Sequence, residues 1–541
     1  MNTTVFRSDC LFPFPRTFAR GARPPRRLTR PRRLVLSLAV GWSLSIASLD
    51  AVQAQEAATL EKLATQLQQL QANFDRQQRE LRESFERTLR EQRAEIDALK
   101  RDLAAAHAVP ATTPAPAGNG ETGAPAPTST TAPLASNAPA ATAAPVTPAP
   151  WSPTQPIRIG GEKNYLNLSF DALIAAGGST ANDIPQLELG GHDPNQRGFT
   201  VQNLETVFEG KVDPYFRGQA NIVLQIDSAG ETTIEAEEAY LETMSLPWNL
   251  QVKAGQFFEE FGRLNPSHPH SWDFVDQPLV NGRFLGPDGL RSAGARLSWL
   301  APTPFYSELF LAIANSQGET AYSFRNDHEG ELFMGRPTID RSVAGMGDLL
   351  FVPRYVTSFN LTDAQTLMAG ASAAFGPNSS GEDTATQIYG LDLFWKWKSP
   401  RQHAGFPFVT WQTEAMARRY HAGAYAGDAY AAPPIPALPE ETLTDWGLYS
   451  QIVWGFHKGW TTGLRGDYVW PGETGQYEAI LGPDPTRAMR WRISPNLTFY
   501  PSEFSKIRLQ YNYDHRDGIG VDHSIWMQFE MLLGSHAAHK F

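Results

Sequence analysis

The chain has 541 residues, a formal net charge of −11 and a mean hydropathy of −0.35. Aromatic residues make up 11% of it, which is a large share for a hydrophilic sequence. Beyond the N-terminus there is no apolar run of 18 residues, which excludes a membrane-spanning helix there. Strands that alternate polar and apolar residues can still cross a membrane within a closed barrel.

Residues 1–54 have the pattern of an export signal. Nine arginines and no lysine precede the apolar run LVLSLAVGWSLSIASL, and Val52 and Ala54 are the small residues before the expected cleavage. A mitochondrial presequence is the alternative. The only cysteine, Cys10, lies in this segment, so the mature chain is predicted to form no disulfide and no thiolate metal site. The mature net charge of −18 does not suit nucleic acid as a partner.

Two segments of different character follow the signal. Residues 55–106 carry apolar residues at heptad spacing, which predicts an oligomerising coiled coil in the periplasm, about 66 Å long. The first members of this seam are Leu60, Leu63, Leu67, Leu70 and Phe74. A single amphipathic helix packed on a domain is the alternative. Residues 107–156 are rich in Ala, Pro and Thr and almost uncharged, which predicts a disordered, extended linker.

Residues 157–541 show a period of two instead of a helical period. In YLNLSFDALIAA, for example, Leu166, Leu168 and Phe170 share one face. Similar segments recur about every 20–25 residues, and short Pro or Gly turns alternate with longer polar loops. The length accommodates about 16 strands, with 14–18 possible, so we predict an all-β fold: a transmembrane antiparallel β-barrel in a bacterial outer membrane. A soluble β-sandwich or propeller is the alternative.

Three segments resemble a known family: GFTVQNLETVFEGKVDPYFRGQANIVLQ, EEAYLETMSLPWNLQVKAGQFFEEFGRLNPSHPH and the closing SIWMQFEMLLGSHAAHKF. With the coiled coil and linker before them, they are similar to the outer-membrane porins of the phosphate-selective O and P type. This resemblance implies a trimeric, water-filled channel in contact with outer-membrane lipid. Some similar sequences are described as energy-coupled, zinc-regulated receptors, and a receptor of this kind is the rival hypothesis.

The charge of residues 157–541 departs from that family. The segment carries 28 basic and 44 acidic residues, and only eight of the basic residues are lysines. Charge rings set the selectivity of a pore. Because no lysine ladder is visible, the sequence argues against strong phosphate selectivity and favours cations or neutral solutes.

The stretch LNPSHPHSWDFVDQPL, residues 264–279, is the most conspicuous candidate site. It belongs to a long connection early in the barrel, where porins often fold a loop into the channel, and its prolines and aromatic residues favour a packed loop. We predict that its charged residues line a pore constriction: Arg263, His268, His270, Asp273, Asp276 and Arg283. An outward-facing surface loop is the alternative, and a metal site of His268, His270 and Asp273 is a minority hypothesis.

We find no catalytic motif, so the protein is predicted not to be an enzyme, and no cofactor is expected. A barrel lipase would need a Ser–His pair that nothing in the sequence singles out. The leading functional hypothesis is an outer-membrane porin for passive diffusion of small solutes or ions, probably as a trimer. The alternatives are a TonB-dependent-like metal receptor, and a structural tether that contacts the cell wall through the coiled coil.

Overall fold

The computed structural model describes residues 155–161, 164–226, 230–316, 319–325, 331–429 and 434–534. The predicted signal, the coiled coil and all but the last two residues of the linker lie outside the described residues, as do His536, His539 and Phe541. No helix in the described ranges is both long and apolar enough to cross a membrane.

Nineteen strands are present in the described ranges. The first seven are β1 Ile157–Gly160, β2 Tyr165–Ser179, β3 Gly198–Lys211, β4 Phe216–Ile226, β5 Thr232–Thr243, β6 Leu250–Phe258 and β7 Arg291–Leu300. Then come β8 Tyr306–Ala314, β9 Leu332–Phe333, β10 Arg336–Pro337, β11 Leu350–Thr362, β12 Gln365–Pro377 and β13 Ala385–His403. The last are β14 Phe406–Ala422, β15 Glu441–His457, β16 Trp460–Pro471, β17 Arg490–Ser502, β18 Ser505–Arg516 and β19 Gly520–Leu533.

Sixteen of these strands form a closed antiparallel barrel. Each of β2–β8 and β11–β19 pairs with the next, β8 pairs with β11, and β19 pairs with β2. The short strand β1 pairs with β2 at residues 165–168, just beyond the last residue that β19 covers, so it extends the closing seam. The prediction of about 16 antiparallel strands is confirmed.

Alternation along the strands places opposite residue types on the two faces of the barrel. In β17, Arg490, Arg492 and Ser494 are buried, whereas Ile493 and Leu497 between and beyond them are 44% and 42% exposed. The same order holds in β18 and β19. A soluble sandwich buries its apolar face, so this inverted arrangement excludes that alternative.

Connections at the two ends of the barrel differ in length. At one end, the short-turn rim, successive strands are joined by two to six residues, as in 363–364, 404–405 and 503–504. At the other end, the long-loop rim, most connections are longer, and the longest are 259–290 and 315–349. The alternation of short turns and long loops therefore follows the sequence pattern.

Helical segments are short and lie in the connections. The α-helices are Ile184–Leu187, Leu279–Phe284 and Gln476–Leu481, and the 3-10 turns are Pro247–Asn249, Pro269–Ser271, Glu319–Ala321 and Met346–Asp348. The helix Leu279–Phe284 packs inside the barrel against β14, β15 and β16, within an apolar cluster that includes Val352, Ile388 and Val469. Burial of side chains such as Leu279 and Phe284 contributes roughly 1.5–3 kcal/mol each.

Candidate functional site

The connection between β6 and β7, residues 259–290, lies inside the barrel, and we call it the inner loop. Ser271 is its only exposed residue. A connection of this length normally runs over the protein surface, because its backbone groups need partners. Here it crosses the interior from wall to wall and contacts strands on several sides.

Inward-facing side chains satisfy the backbone of the inner loop. Leu264 N donates to Glu414 Oε1 on β14 at 2.8 Å, and Val275 N donates to Gln510 Oε1 on β18 at 2.8 Å. Gly262, with φ +63°, donates its N–H to the Ser372 hydroxyl on β12. Irregular backbone at membrane depth is tolerated only when protein or water satisfies it, so these contacts explain why the loop can stay inside.

Asp276 is the strongest anchor of the inner loop. Its carboxylate accepts from Arg465 Nη2 at 2.7 Å, Arg492 Nη1 at 2.5 Å, Gln510 Nε2 at 2.7 Å and Asn512 Nδ2 at 2.7 Å. Burial disfavours the charged carboxylate, but the two guanidinium groups outweigh that effect and lower the pKa of Asp276 to about 2. The anchor therefore stays charged at every physiological pH.

Five arginines form one wall of the interior, which we call the arginine wall: Arg418, Arg465, Arg490, Arg492 and Arg508. Each is at most 2% exposed. Four of the five pair with carboxylates, including Asp445, Asp514 and Asp276. Sequence reasoning looked for a lysine ladder and missed this wall, although the R-x-R at 490 and 492 on an alternating strand was the available signal.

His268 binds to the opposite wall, between two consecutive glutamates of β5. Its Nδ1 lies 2.8 Å from Glu237 Oε2 and its Nε2 lies 3.1 Å from Glu238 Oε2. A β-bulge opposite Asn221 and Ile222 on β4 turns both glutamates inward, where regular alternation would turn only one. Because both ring nitrogens face carboxylates, His268 is held as the imidazolium. Burial opposes this charge, but Glu205 and Glu237 outweigh it and raise the pKa of His268 well above its usual range.

His270 and His192 extend this contact. His270 Nδ1 lies 3.4 Å from Glu205 Oε2 and 3.5 Å from Asp171 Oδ2. His192, in the connection between β2 and β3, places its Nε2 3.5 Å from Glu237 Oε1. Burial lowers the pKa of His192, but the neighbouring Glu237 carboxylate prevails and raises it to about 9. This histidine-lined surface is the histidine wall: Asp171, Glu205, Glu237 and Glu238 with His192, His268 and His270.

The other predicted site residues point to separate places. Arg263 lies over the Phe394 ring, with Cζ 3.9 Å from the centroid, and donates to Gln412. Asp273 accepts a 3.3 Å hydrogen bond from Gln451, on the side of the barrel away from the histidines. Arg283 donates to the carbonyl of Ala488. The minority metal set of His268, His270 and Asp273 is not brought together, because Asp273 belongs to neither group of clustered ligands in the described ranges.

Part of the interior stays open toward the short-turn rim. Along β11, the inward-facing residues Arg354 and Val356 are buried, Ser358 is half-buried and Asn360 is exposed. On β13, Lys396 is half-buried and Lys398 is exposed. The inner loop therefore narrows the barrel near its middle and leaves a polar vestibule below.

A closed barrel with an apolar exterior, a charged interior and a loop folded inside is the architecture of a transmembrane β-barrel protein. No family model matches the chain. An "Uncharacterized protein" of Aquifex aeolicus (strain VF5) is 32% identical over 410 residues, which are 70% of this chain and 79% of the relative. The chain belongs to the same family as that protein.

Solved structures with a similar course of the chain include outer-membrane proteins. The outer membrane channel DcaP of Acinetobacter baumannii is 12% identical, with a TM-score of 0.45, over 68% of this chain and 97% of that one. The anion-selective porin from Comamonas acidovorans is 7% identical, with a TM-score of 0.43, over 68% of this chain and 100% of that one.

Proposed function

We propose that the protein is an outer-membrane porin through which small solutes or ions diffuse passively. The observation that carries this proposal is the closed 16-stranded barrel whose exposed face is apolar and whose inward face is polar and charged. An apolar outer surface of this kind is stable against lipid, and a polar interior suits water.

Aromatic residues at both rims support a position in a membrane. Outward-facing ring pairs near the short-turn rim are Phe305–Phe359, Trp454–Phe456 and Trp460–Phe499. Pairs near the long-loop rim are Tyr468–Trp470, Trp491–Tyr513 and Phe375–Tyr389. Aromatic girdles of transmembrane barrels lie at the two membrane interfaces, because these side chains combine an apolar ring with a polar group.

The inner loop serves as the constriction in this proposal. It lies between an arginine wall and an acidic histidine wall, so a solute that passes it experiences a field across the channel. Arg263, His268, His270, Asp273, Asp276 and Arg283 supply or balance this field from the loop itself. The contacts of the loop with several strands support a fixed opening and not a freely moving segment.

The charge distribution favours cations or neutral solutes over phosphate. Four of the five wall arginines already pair with carboxylates, so they offer little to a passing anion. Two lysines of β13, Lys396 and Lys398, also line the vestibule, and their positive charge opposes this preference. Phosphate selectivity of the O and P type is therefore a weaker proposal than a general diffusion channel.

Two other functions are less well supported. An energy-coupled receptor holds a separate domain inside its barrel. In the part of this chain that the structure describes, a connection between two strands occupies the barrel interior. The trimer and the cell-wall tether remain predictions that rest mainly on residues 55–154, which lie outside the described ranges.

Planar-bilayer recording of the purified protein tests the proposal. We expect discrete open steps, and no steps from folded protein would refute a channel. In a salt gradient, the double variant Lys396→Gln, Lys398→Gln is expected to shift the reversal potential toward the value of a cation-selective channel. Lys458→Gln is the matched control, because Lys458 lies in the short turn between β15 and β16 and is exposed. A wild-type channel that selects strongly for anions would refute the charge argument.

A further inference from the structure

Two buried carboxylates face each other across β2 and β3. Asp171 and Glu205 are paired in register, and both are 0% exposed. Like charges directly opposite each other destabilise a sheet. Burial makes the repulsion stronger, because water does not screen the two charges. A carboxylate removed from water also needs a positive partner. The His268 imidazolium lies 3.4 Å from Glu205 Oε1 and partly balances that carboxylate, so Asp171 is the member of the pair that calls for a cation.

The partners of Asp171 within the described ranges do not meet that need. Among the residues that the structure describes, no side chain donates a hydrogen bond to either carboxylate oxygen of Asp171. The side chain of Lys506 contacts Glu530 and the carbonyl of His270. The closest imidazole nitrogen, His270 Nδ1, is 3.5 Å away, which is longer than a normal N–H···O hydrogen bond.

The same distances suit a metal ion. His270 Nδ1 is 3.4 Å from Glu205 Oε2 and 3.5 Å from Asp171 Oδ2, and the three residues form a group whose ligand atoms all lie within 4.8 Å of one another. Nitrogen and oxygen ligands at about 2.0–2.1 Å from a tetrahedral zinc ion are roughly 3.3–3.4 Å apart. The spacing is thus that of ligands around a shared ion.

We propose that Asp171, Glu205 and His270 bind a divalent cation of the zinc class inside the barrel. One imidazole and two carboxylates form a nitrogen and oxygen ligand set that leaves a fourth position for water. The ion would neutralise the opposed carboxylates and tie the inner loop to β2 and β3. This site goes beyond the channel function, because it concerns how the constriction is held.

A neighbouring group competes for the assignment. Glu205, Glu237 and His268 also lie close together. In that group, however, His268 already contacts Glu237 and Glu238 at hydrogen-bond distance with its two nitrogens. A proton occupies the place that an ion would take, so the His270 group is the better ligand set.

Zinc titration of the tag-free full-length chain tests the proposal. The protein is purified in detergent micelles, stripped with a chelator and titrated with Zn²⁺ by isothermal calorimetry. We expect one ion per chain and at least about tenfold weaker binding in Asp171→Asn, since loss of even an outer-shell partner costs about 10–100-fold. Glu259→Gln is the matched control, because Glu259 is equally buried but belongs to no histidine group in the described ranges.

Several outcomes would overturn the site. They are absence of zinc binding by the folded wild type, unchanged affinity in Asp171→Asn, or loss of binding in His268→Gln but not in His270→Gln. If Asp171→Asn does not fold, cobalt absorption of the wild type decides: tetrahedral nitrogen and oxygen bands support the site, and a spectrum of free cobalt refutes it. None of these measurements depends on conductance, so the site and the channel can fail separately.

Discussion

The inner loop is held by two walls that use different chemistry. At the arginine wall, Asp276 is bound by Arg465 and Arg492, whose charges do not change in the physiological pH range. At the histidine wall, His268 is bound by Glu237 and Glu238, and that contact depends on a proton. The contact at Asp276 therefore does not change with pH in the physiological range, while the contact at His268 depends on a proton.

The two walls therefore hold the loop through contacts that differ in their sensitivity to pH. Guanidinium groups present several donors in a fixed geometry, so Asp276 can be fully satisfied without a proton or a metal ion. An imidazole loses its proton at a lower pH than a guanidinium group does, and its neutral form can bind a metal ion, so a histidine contact is sensitive to pH and to divalent cations. The contributions of the two walls to stability can be measured separately.

The largest effect is expected from Asp276→Asn. This substitution removes the carboxylate that two buried guanidinium groups share. Arg465 keeps Asp467, and Arg492 keeps Glu188 and Asp514, so we expect a loss of about 3 kcal/mol in the free energy of unfolding, the low end for a broken buried pair. Unfolding of the protein in micelles by guanidinium chloride measures this loss. Asp273→Asn is the control, because Asp273 accepts one 3.3 Å hydrogen bond. Equal losses in the two variants would show that Asp276 is not the anchor.

His268→Gln is expected to have a smaller effect. The variant loses hydrogen bonds between charged groups, which contribute about 1.5–3 kcal/mol to the free energy of unfolding. The same denaturant titration measures this loss at pH 7. His523→Gln serves as the comparison, because His523 is exposed and contacts Tyr511. A loss no greater than that of the comparison would contradict a structural role for the histidine wall.

The pH dependence should separate the walls. The pKa of His192 is raised to about 9, so its stabilising contribution is complete below the ordinary histidine pKa and is lost as the pH rises through about 9. We expect a loss on the order of 2 kcal/mol between neutral pH and this range, relative to His192→Gln. Parallel pH profiles of the two proteins would refute it. Asp276 contributes no slope here, because its pKa is about 2.

The smallest effect is expected at an exposed pair of the same residue types. His421 Nε2 lies 2.8 Å from Glu440 Oε1, but these side chains are 36% and 66% exposed. Glu440→Gln should change the free energy of unfolding by at most about 1 kcal/mol, since water screens surface ion pairs. Thermal unfolding of this variant and His268→Gln in parallel would show whether burial sets the difference. An effect as large as that of His268→Gln would break this explanation.

Much of the architecture could be predicted from local patterns. A period of two along the strands, together with Gly and Pro in the turns, indicated about 16 strands with short and long connections in alternation. The prolines and aromatic residues of residues 264–279 favoured a packed loop, and the structure places that loop inside the barrel. These features depend on residues close together in the chain, so they can be predicted from the sequence.

The partners of the site residues could not be predicted in the same way. Asp273 was grouped with the two histidines because it is near them in sequence, yet the loop turns it toward Gln451. The actual partners of His268 depend on a β-bulge that turns Glu237 and Glu238 to the same side. No alternation rule indicates where an extra residue enters a strand.

The sequence by itself determined the barrel class, the approximate strand number and the inverted polarity, because alternation is a local property of strands. Only the tertiary structure decided that Asp171, Glu205 and His270 meet, and that arginines and not lysines form the charged wall. Barrel closure and strand register bring such residues together across long separations in the chain. The pairing of charges, and with it the chemistry of the constriction, therefore follows from packing.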